Sequence, residues 1–355
     1  MTFRPRAWPW LAALLLTGAA HAQQTVSLTM ASSHPTTYLP TGVMASHMRT
    51  EVDRLLKEAG GKYQIRWKES YGGSLFKMQD SMEAVRDGIA DIGVVFSLFE
   101  SDTMPLSNVS FYTPFASGNL LNVMNAMDDL VRSNAAVRFE WERNGLVFLA
   151  PVGADSYGLW TTSPVQRLAD LKGRKINAPG VAGKWLQGTG AVAVDGGLPT
   201  YFTNVQTGVT EGAMSFYTGI LGTRLYEVAP HIADVNIGAA SFGGVAINAS
   251  RMKSLPPEVQ QVLIKAGASY KAALVKETLG RVDSARAEMT AKGARITVWS
   301  EAERQAWAKA MPDIAGEWIK ANEARGLPAA SVLAQFMSSL AASGDKPLRA
   351  WGAAK

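Results

Sequence analysis

The stretch YGGSLFKMQDSMEAVRDGIADIGVVFS, residues 71–97, decides the fold. Gly72 and Gly73 mark a turn, a helical segment runs to Gly88, and IADIGVVFS has the length and apolar character of a buried strand. Just ahead, YQIRWKES (63–70) alternates apolar and polar residues as a strand does. Strand, turn, helix and strand in that order predict a parallel βαβ unit, and hence an α/β protein.

The same grammar extends both ways. Upstream, TVSLTMASS (25–33) is an alternating strand, SHPTTYLP breaks it, and GVMASHMRTEVDRLLKEAG predicts a helix with Val43, Met48, Val52 and Leu55 on one stripe. Downstream, residues 119–145 read as a helical stretch ending at Gly145, suited to a left-handed cap. LVFLAPV (146–152), SYGLWTT (156–162), KINAP and FGGVAIN (242–248) are strand-like, and GVTEGAMS leads into another strand. From Pro256 onward a helical pattern continues with no breaker until Gly293 except Gly267 and Gly280. A helix so long for a single layer predicts an element crossing two domains.

Composition narrows the class. Arg4 and Arg6 precede an apolar run that closes on Ala20-His21-Ala22, the pattern of a signal peptide cut after Ala22 and so of export to the periplasm. The 355 residues contain no cysteine, so no disulfides are expected and packing alone must stabilise the chain. The formal charge is +5, with Lys and Arg scattered among Asp and Glu; no basic stripe suggests nucleic acid as a partner.

Motifs for chemistry are few. His34, His47 and His231 lack metal-ligand spacing, so no metal and no cofactor are expected. GTGAVA (188–193) has the letters of a dinucleotide fingerprint but follows a helical stretch, so its glycines read as a helix stop. Glu69, Glu100, Asp155 and Glu211 stand near strand ends, where α/β proteins place ligand groups, and Asp155 would share its face with Tyr157 and Leu159. Trp67, Phe96, Tyr157, Trp160, Trp185 and Tyr217 stand in or just after predicted strands and turns; most read as core, and a subset could line a cavity. His34 and Tyr38 at the first strand-to-helix turn, and Ser215 on a later strand, complete the candidates.

Five segments in order resemble the DctP-like family of extracytoplasmic solute-binding proteins of TRAP transporters: residues 71–93, RNGLVFLAPV (143–152), LADLKGRKINAPG (168–180), VQTGVTEG (205–212) and LPPEVQQVLIKAG (255–267). The resemblance implies a two-domain periplasmic binding protein fold, with the ligand cleft between the domains and a long helix spanning both. It also implies delivery of a small-molecule solute to membrane permease subunits, and no enzymatic activity. The expected division is 1–22 signal peptide, 23–152 with 243–285 as one domain, 153–242 with 286–340 as the other, and 341–355 as a tail.

The chain departs from the family at one telling place. Most members have an arginine where this sequence has Asn177, and its bidentate fork holds a carboxylate. Strand alternation points the neighbouring Arg174 to the opposite face. A desolvated carboxylate without a cation costs several kcal/mol. The expectation is therefore a neutral or cationic solute, with an amino alcohol such as ethanolamine first: Asp155, Glu69 or Glu100 for the ammonium, Asn177 and Tyr157 for the hydroxyl. The alternatives are an organic acid held by a displaced cation, or a periplasmic sensor of the same fold.

Overall fold

A computed structural model describes residues 23–352, so the signal-peptide reading of 1–22 lies outside the described residues. Eleven strands follow in chain order: β1 (Gln24–Ala31), β2 (Tyr63–Ser70), β3 (Ile92–Val95), β4 (Leu146–Ala154), β5 (Tyr157–Thr161), β6 (Lys175–Ala178), β7 (Val192–Asp195), β8 (Gly212–Phe216), β9 (His231–Asp234), β10 (Ala240–Asn248) and β11 (Arg295–Val298). They form two sheets, ordered β2-β1-β3-β10-β4 and β11-β9-β5-β8-β6-β7, each the centre of a lobe.

The βαβ expectation holds for β1, β2 and β3, which pair in parallel, and for β6, β7 and β8. Neither sheet is purely parallel. β10 runs antiparallel to β3 and β4, and β5 runs antiparallel to β8 and β9. The reason is the crossings: β4 passes into β5 through residues 155–156 and β9 into β10 through 235–239, so each sheet receives a strand arriving from the other lobe. The two crossings bond to each other. Tyr157 N–H donates to Gly238 O (3.0 Å), Ile237 N–H to Tyr157 O (2.9 Å), and Ser156 Oγ to Asn236 Oδ1 (2.6 Å). Asn236 takes φ 52°, a left-handed conformation that asparagine tolerates better than most residues.

The long helix runs unbroken over Pro257–Ala291. A Cβ at Gly267 would lie 2.2 Å from the Leu149 carbonyl oxygen, so glycine lets the helix press against β4. Its first half buries Val259, Leu263, Ala266 and Tyr270 in the core of the first lobe; its second half buries Ala285 and Met289 in that of the second. The helix does span both.

Other differences from the sequence reading have local causes. The early helix makes a wide π-turn at Met44–Met48, which carries Val43 and Met48, five residues apart, onto one buried face and makes Leu56 rather than Leu55 its fully buried leucine. The stretch ending at Gly145 is two helices, Leu120–Ser133 and Ala135–Arg143, because the Asn134 side chain accepts from the Ala136 and Val137 N–H groups and caps the second. Helix Ala329–Ala342 buries Val332, Leu333, Phe336 and Leu340. Its Gln335 bonds to Asn134 and Ser133, and Trp318 Nε1 donates to Pro105 O, so this end of the chain, expected with the second domain, packs on the first lobe.

Candidate functional site

Where the lobes meet in front of the crossings lies a small cavity. The first lobe contributes His34, Tyr38, Met78, Phe96, Leu98, Phe99 and Phe242; the second contributes Tyr157, Pro179, Gly197, Leu198, Tyr201, Ser215 and Phe216. Several of these residues follow or end strands: Phe96 after β3, Pro179 after β6, Phe216 at the end of β8. Ligand crevices of α/β sheets lie there.

The walls are aromatic. Phe96 and Phe242 stack at 5.8 Å and 12°, and Phe242 continues to Phe216 at 6.4 Å and 17°, so a row of near-parallel rings crosses from one lobe to the other. His34 lies against Tyr38 (4.5 Å) and Phe96 (5.1 Å), and its Nδ1 is 3.0 Å from Ser33 Oγ. Burial pushes the His34 imidazole down to about 4, so it is neutral at physiological pH. Burial raises the Tyr38, Tyr157 and Tyr201 hydroxyls, which stay protonated. No ionised side chain lines this cavity.

Two glycines let the lobes approach. A Cβ at Gly180 would fall 2.5 Å from the Leu98 carbonyl oxygen, and one at Gly197 would fall 2.4 Å from Met78 Cε. Behind them Trp185 ties the lobes: its Nε1 donates to Phe111 O (2.6 Å) and its ring meets Tyr157 edge-on.

Of the eleven residues expected at the ligand, five line the cavity: His34, Tyr38, Phe96, Tyr157 and Ser215. Asn177 does not. It is fully buried beside the cavity, donating to Thr210 Oγ1 (2.6 Å) and Gly212 O (3.1 Å) and accepting from Asn204 Nδ2 (2.9 Å). It joins β6 and β8 to the helix Leu198–Gln206 and has no free donor. Arg174 is spent on Asp170, Ser163 and Pro164 carbonyl oxygens.

The carboxylates are a second correction. Asp155 is buried and accepts from Tyr217 N–H (2.9 Å) and Thr218 Oγ1 (2.5 Å), holding the start of helix Tyr217–Thr223. Burial nonetheless pushes its carboxyl up to about 6. Glu69 stands on the edge strand β2, paired with Arg49 and Tyr71. Glu100 accepts from Thr103, and Glu211 from the Lys175 N–H. None lines the cavity. Trp160 is sealed in the core of the second lobe, and Trp185 is a strut rather than a wall.

A rear cavity lies behind the crossings, lined by Asp155, Ser156, Tyr217, Asp234, Asn236 and Arg286 among others. Here Arg286 pairs with Asp234, donates to Tyr217 Oη (3.1 Å) and covers the Tyr217 ring at 4.8 Å. The crossings and the β8–helix junction divide the two spaces: Phe216 faces the front and Tyr217 the rear.

The sequence reading missed Met78, Leu98, Phe99, Pro179, Gly197, Leu198, Tyr201, Phe216 and Phe242. Position at the end of a predicted strand was the available signal for Pro179; for Gly197, which follows the unpredicted β7, and for Tyr201, inside a helix, there was none.

Two lobes of mixed sheet, joined by paired crossings, enclose a small cavity. The sequence model of the family described as bacterial extracellular solute-binding protein, family 7 matches residues 41–321, and the chain belongs to that family. It is similar to the C4-dicarboxylate-binding periplasmic protein DctP of Shewanella loihica, 26% identical over 288 residues covering 78% of this chain and 80% of that protein. Two solved structures share the fold. One is a TRAP solute-binding protein from Rhodoferax ferrireducens T118 with copurified benzoate (TM-score 0.80, 19% identity, 90% of this chain and 98% of that one). The other is a marine metagenome protein specific for aromatic acid ligands, with 3-hydroxybenzoate (TM-score 0.80, 21% identity, 90% and 99%). The chain is thus an extracellular solute-binding protein and not an enzyme. No helix among the described residues is long and apolar enough to cross a membrane.

Proposed function

We propose that the front cavity is the solute site and that its solute is a small uncharged molecule with a flat apolar body and an oxygen-bearing head. The observation that carries this reading is the lining: aromatic rings and hydroxyls, with no carboxylate or cation. Burying an unpaired ion there would cost several kcal/mol. Released from its leader after Ala22, the protein would carry this solute to the permease subunits of a TRAP transporter, its lobes dividing near 152–157 and 234–243.

An amino alcohol, expected from the sequence, would rest its ammonium on aromatic faces alone, since Asp155, Glu69 and Glu100 lie elsewhere. An aromatic carboxylate is the second reading. The aromatic acids bound by the Rhodoferax and marine proteins favour it, and hydroxyl donors would have to replace a cation.

One ring with three charges separates the readings. Thermal shift and calorimetry with 3-hydroxybenzyl alcohol, 3-hydroxybenzoate and 3-hydroxybenzylamine should show binding of the alcohol ahead of the other two. Preference for the benzoate would overturn the uncharged reading, and preference for the amine would restore the sequence-based one.

A further inference from the structure

Buried hydroxyls in proteins are nearly always bonded, and the exceptions call for a reason. Three buried tyrosines outside the front cavity follow the rule: Tyr270 donates to Pro40 O (3.1 Å), Tyr217 accepts from Arg286, and Tyr226 accepts from Lys292. In the front cavity the hydroxyls line an open space instead of being sealed in packing. Tyr38 Oη, Tyr157 Oη and Ser215 Oγ make no hydrogen bond to any described residue, and Tyr201 Oη has only a marginal contact with Gly196 O (3.5 Å). These residues are 1–2% exposed, apart from half-buried Tyr38. All four line the same cavity.

The four come from both lobes. Tyr38 precedes the first helix of the first lobe; Tyr157 opens β5, Ser215 lies on β8, and Tyr201 projects from helix Leu198–Gln206 of the second. We propose that they form a two-lobe clasp in which the Tyr38, Tyr157, Tyr201 and Ser215 hydroxyls close on one oxygen-bearing head of the solute. The inference rests on the front cavity being the solute site. A solute oxygen bridging Tyr38 to the second-lobe hydroxyls interacts better with the closed state than with the open one, which is the condition for driving closure. A hydrocarbon of the same shape leaves the hydroxyls unbonded on closing and is rejected.

The test uses Tyr38→Phe and Tyr157→Phe in the full mature chain, with Tyr270→Phe as a structural comparison. Without added solute, the two clasp variants should melt at or above wild type, because they remove hydroxyls that bond nothing. Tyr270→Phe should melt about 2 °C lower or more, because it loses a bond. With 3-hydroxybenzyl alcohol and 3-hydroxybenzoate as probes, each clasp variant should bind about fivefold more weakly than wild type. Melting of Tyr38→Phe and Tyr157→Phe as low as Tyr270→Phe would assign the hydroxyls to the fold and overturn the clasp. A wild-type response that both clasp variants keep in full would overturn the clasp alone. No wild-type response to either probe would instead overturn the reading of the solute on which the clasp rests.

Discussion

The front and rear cavities share the same crossings and differ in kind. The front is lined by rings and hydroxyls with no ionised group; the rear holds Asp155, Asp234, Asp283, Arg286 and Arg304. Most of the rear charges are occupied: Arg286 with Asp234, Asp155 with the start of a helix. Charge beside the crossings is largely engaged in holding them and the neighbouring helix, and the cavity between the lobes is lined by uncharged groups. A strand-end carboxylate is therefore an ambiguous sign, since one residue decides which side of a crossing it faces.

The largest expected effect breaks the rear. Asp155→Ala leaves the Tyr217 N–H and the Thr218 hydroxyl without their acceptor, and should cost about 3 kcal/mol of stability. Urea denaturation measures it. If Asp155→Ala unfolds like wild type but loses binding of 3-hydroxybenzyl alcohol, the rear assignment of Asp155 is wrong. Next comes Gly180→Ala at the front. Glycine there has φ 47° and no room for a Cβ against the Leu98 carbonyl. The variant should hold the lobes apart and weaken probe binding by about 2 kcal/mol or more. Small-angle scattering should show a larger radius of gyration, and an unchanged radius with unchanged affinity would deny that Gly180 limits closure.

How much of this was legible follows the physics of each signal. Hydrophobic period and turn residues report local structure, so the strands at 63–70 and 146–152 and the long helix could be read directly. The direction of β5 and β10 depends on which lobe the chain arrives from, and nothing local encodes that. At the site, His34, Tyr38, Phe96, Tyr157 and Ser215 were found as aromatic or polar residues near strand ends or beside a strand-to-helix turn. Asn177 was expected at the ligand, but its neighbours Thr210 and Asn204 lie 33 and 27 residues away, and only folding shows that they consume its hydrogen bonds. Trp160 and Trp185 carry the same local pattern as Tyr157. Placement, which sequence does not display, separates them from it: Trp160 packs in the second-lobe core and Trp185 bonds across to Phe111, while Tyr157 lines the cavity.

A third prediction concerns stability against pH. Glu140, buried under residues 106–107, accepts from the Leu106 N–H and from the Ser107 N–H and hydroxyl, yet burial pushes its carboxyl up to about 7. Asp155 is pushed up to about 6. Both acids bind protons more tightly folded than unfolded, so the stability they contribute is present below about pH 4 and is lost as pH rises towards 7. Glu140→Gln should flatten this decline by up to about 3 kcal/mol between pH 5 and 8. Unfolding free energies across that range test it, and an unchanged slope would mean that the three donors keep Glu140 ionised throughout.

The smallest expected effect sharpens the comparison most. If the front cavity is the solute site, none of its groups titrates near neutrality: His34 has already lost its proton, and the tyrosine hydroxyls keep theirs. Affinity for 3-hydroxybenzyl alcohol should then change by less than about twofold between pH 6 and 9, while stability falls over the lower part of that range. Calorimetry at three pH values decides. An inflection near pH 6 would mean that Asp155, although it faces the rear, transmits its ionisation through Tyr217 and Phe216 to the front wall. An inflection near 7 that disappears in His34→Gln would mean that the imidazole is less desolvated than its packing against Tyr38 and Phe96 implies, and the front cavity would then be a place where charge can reside.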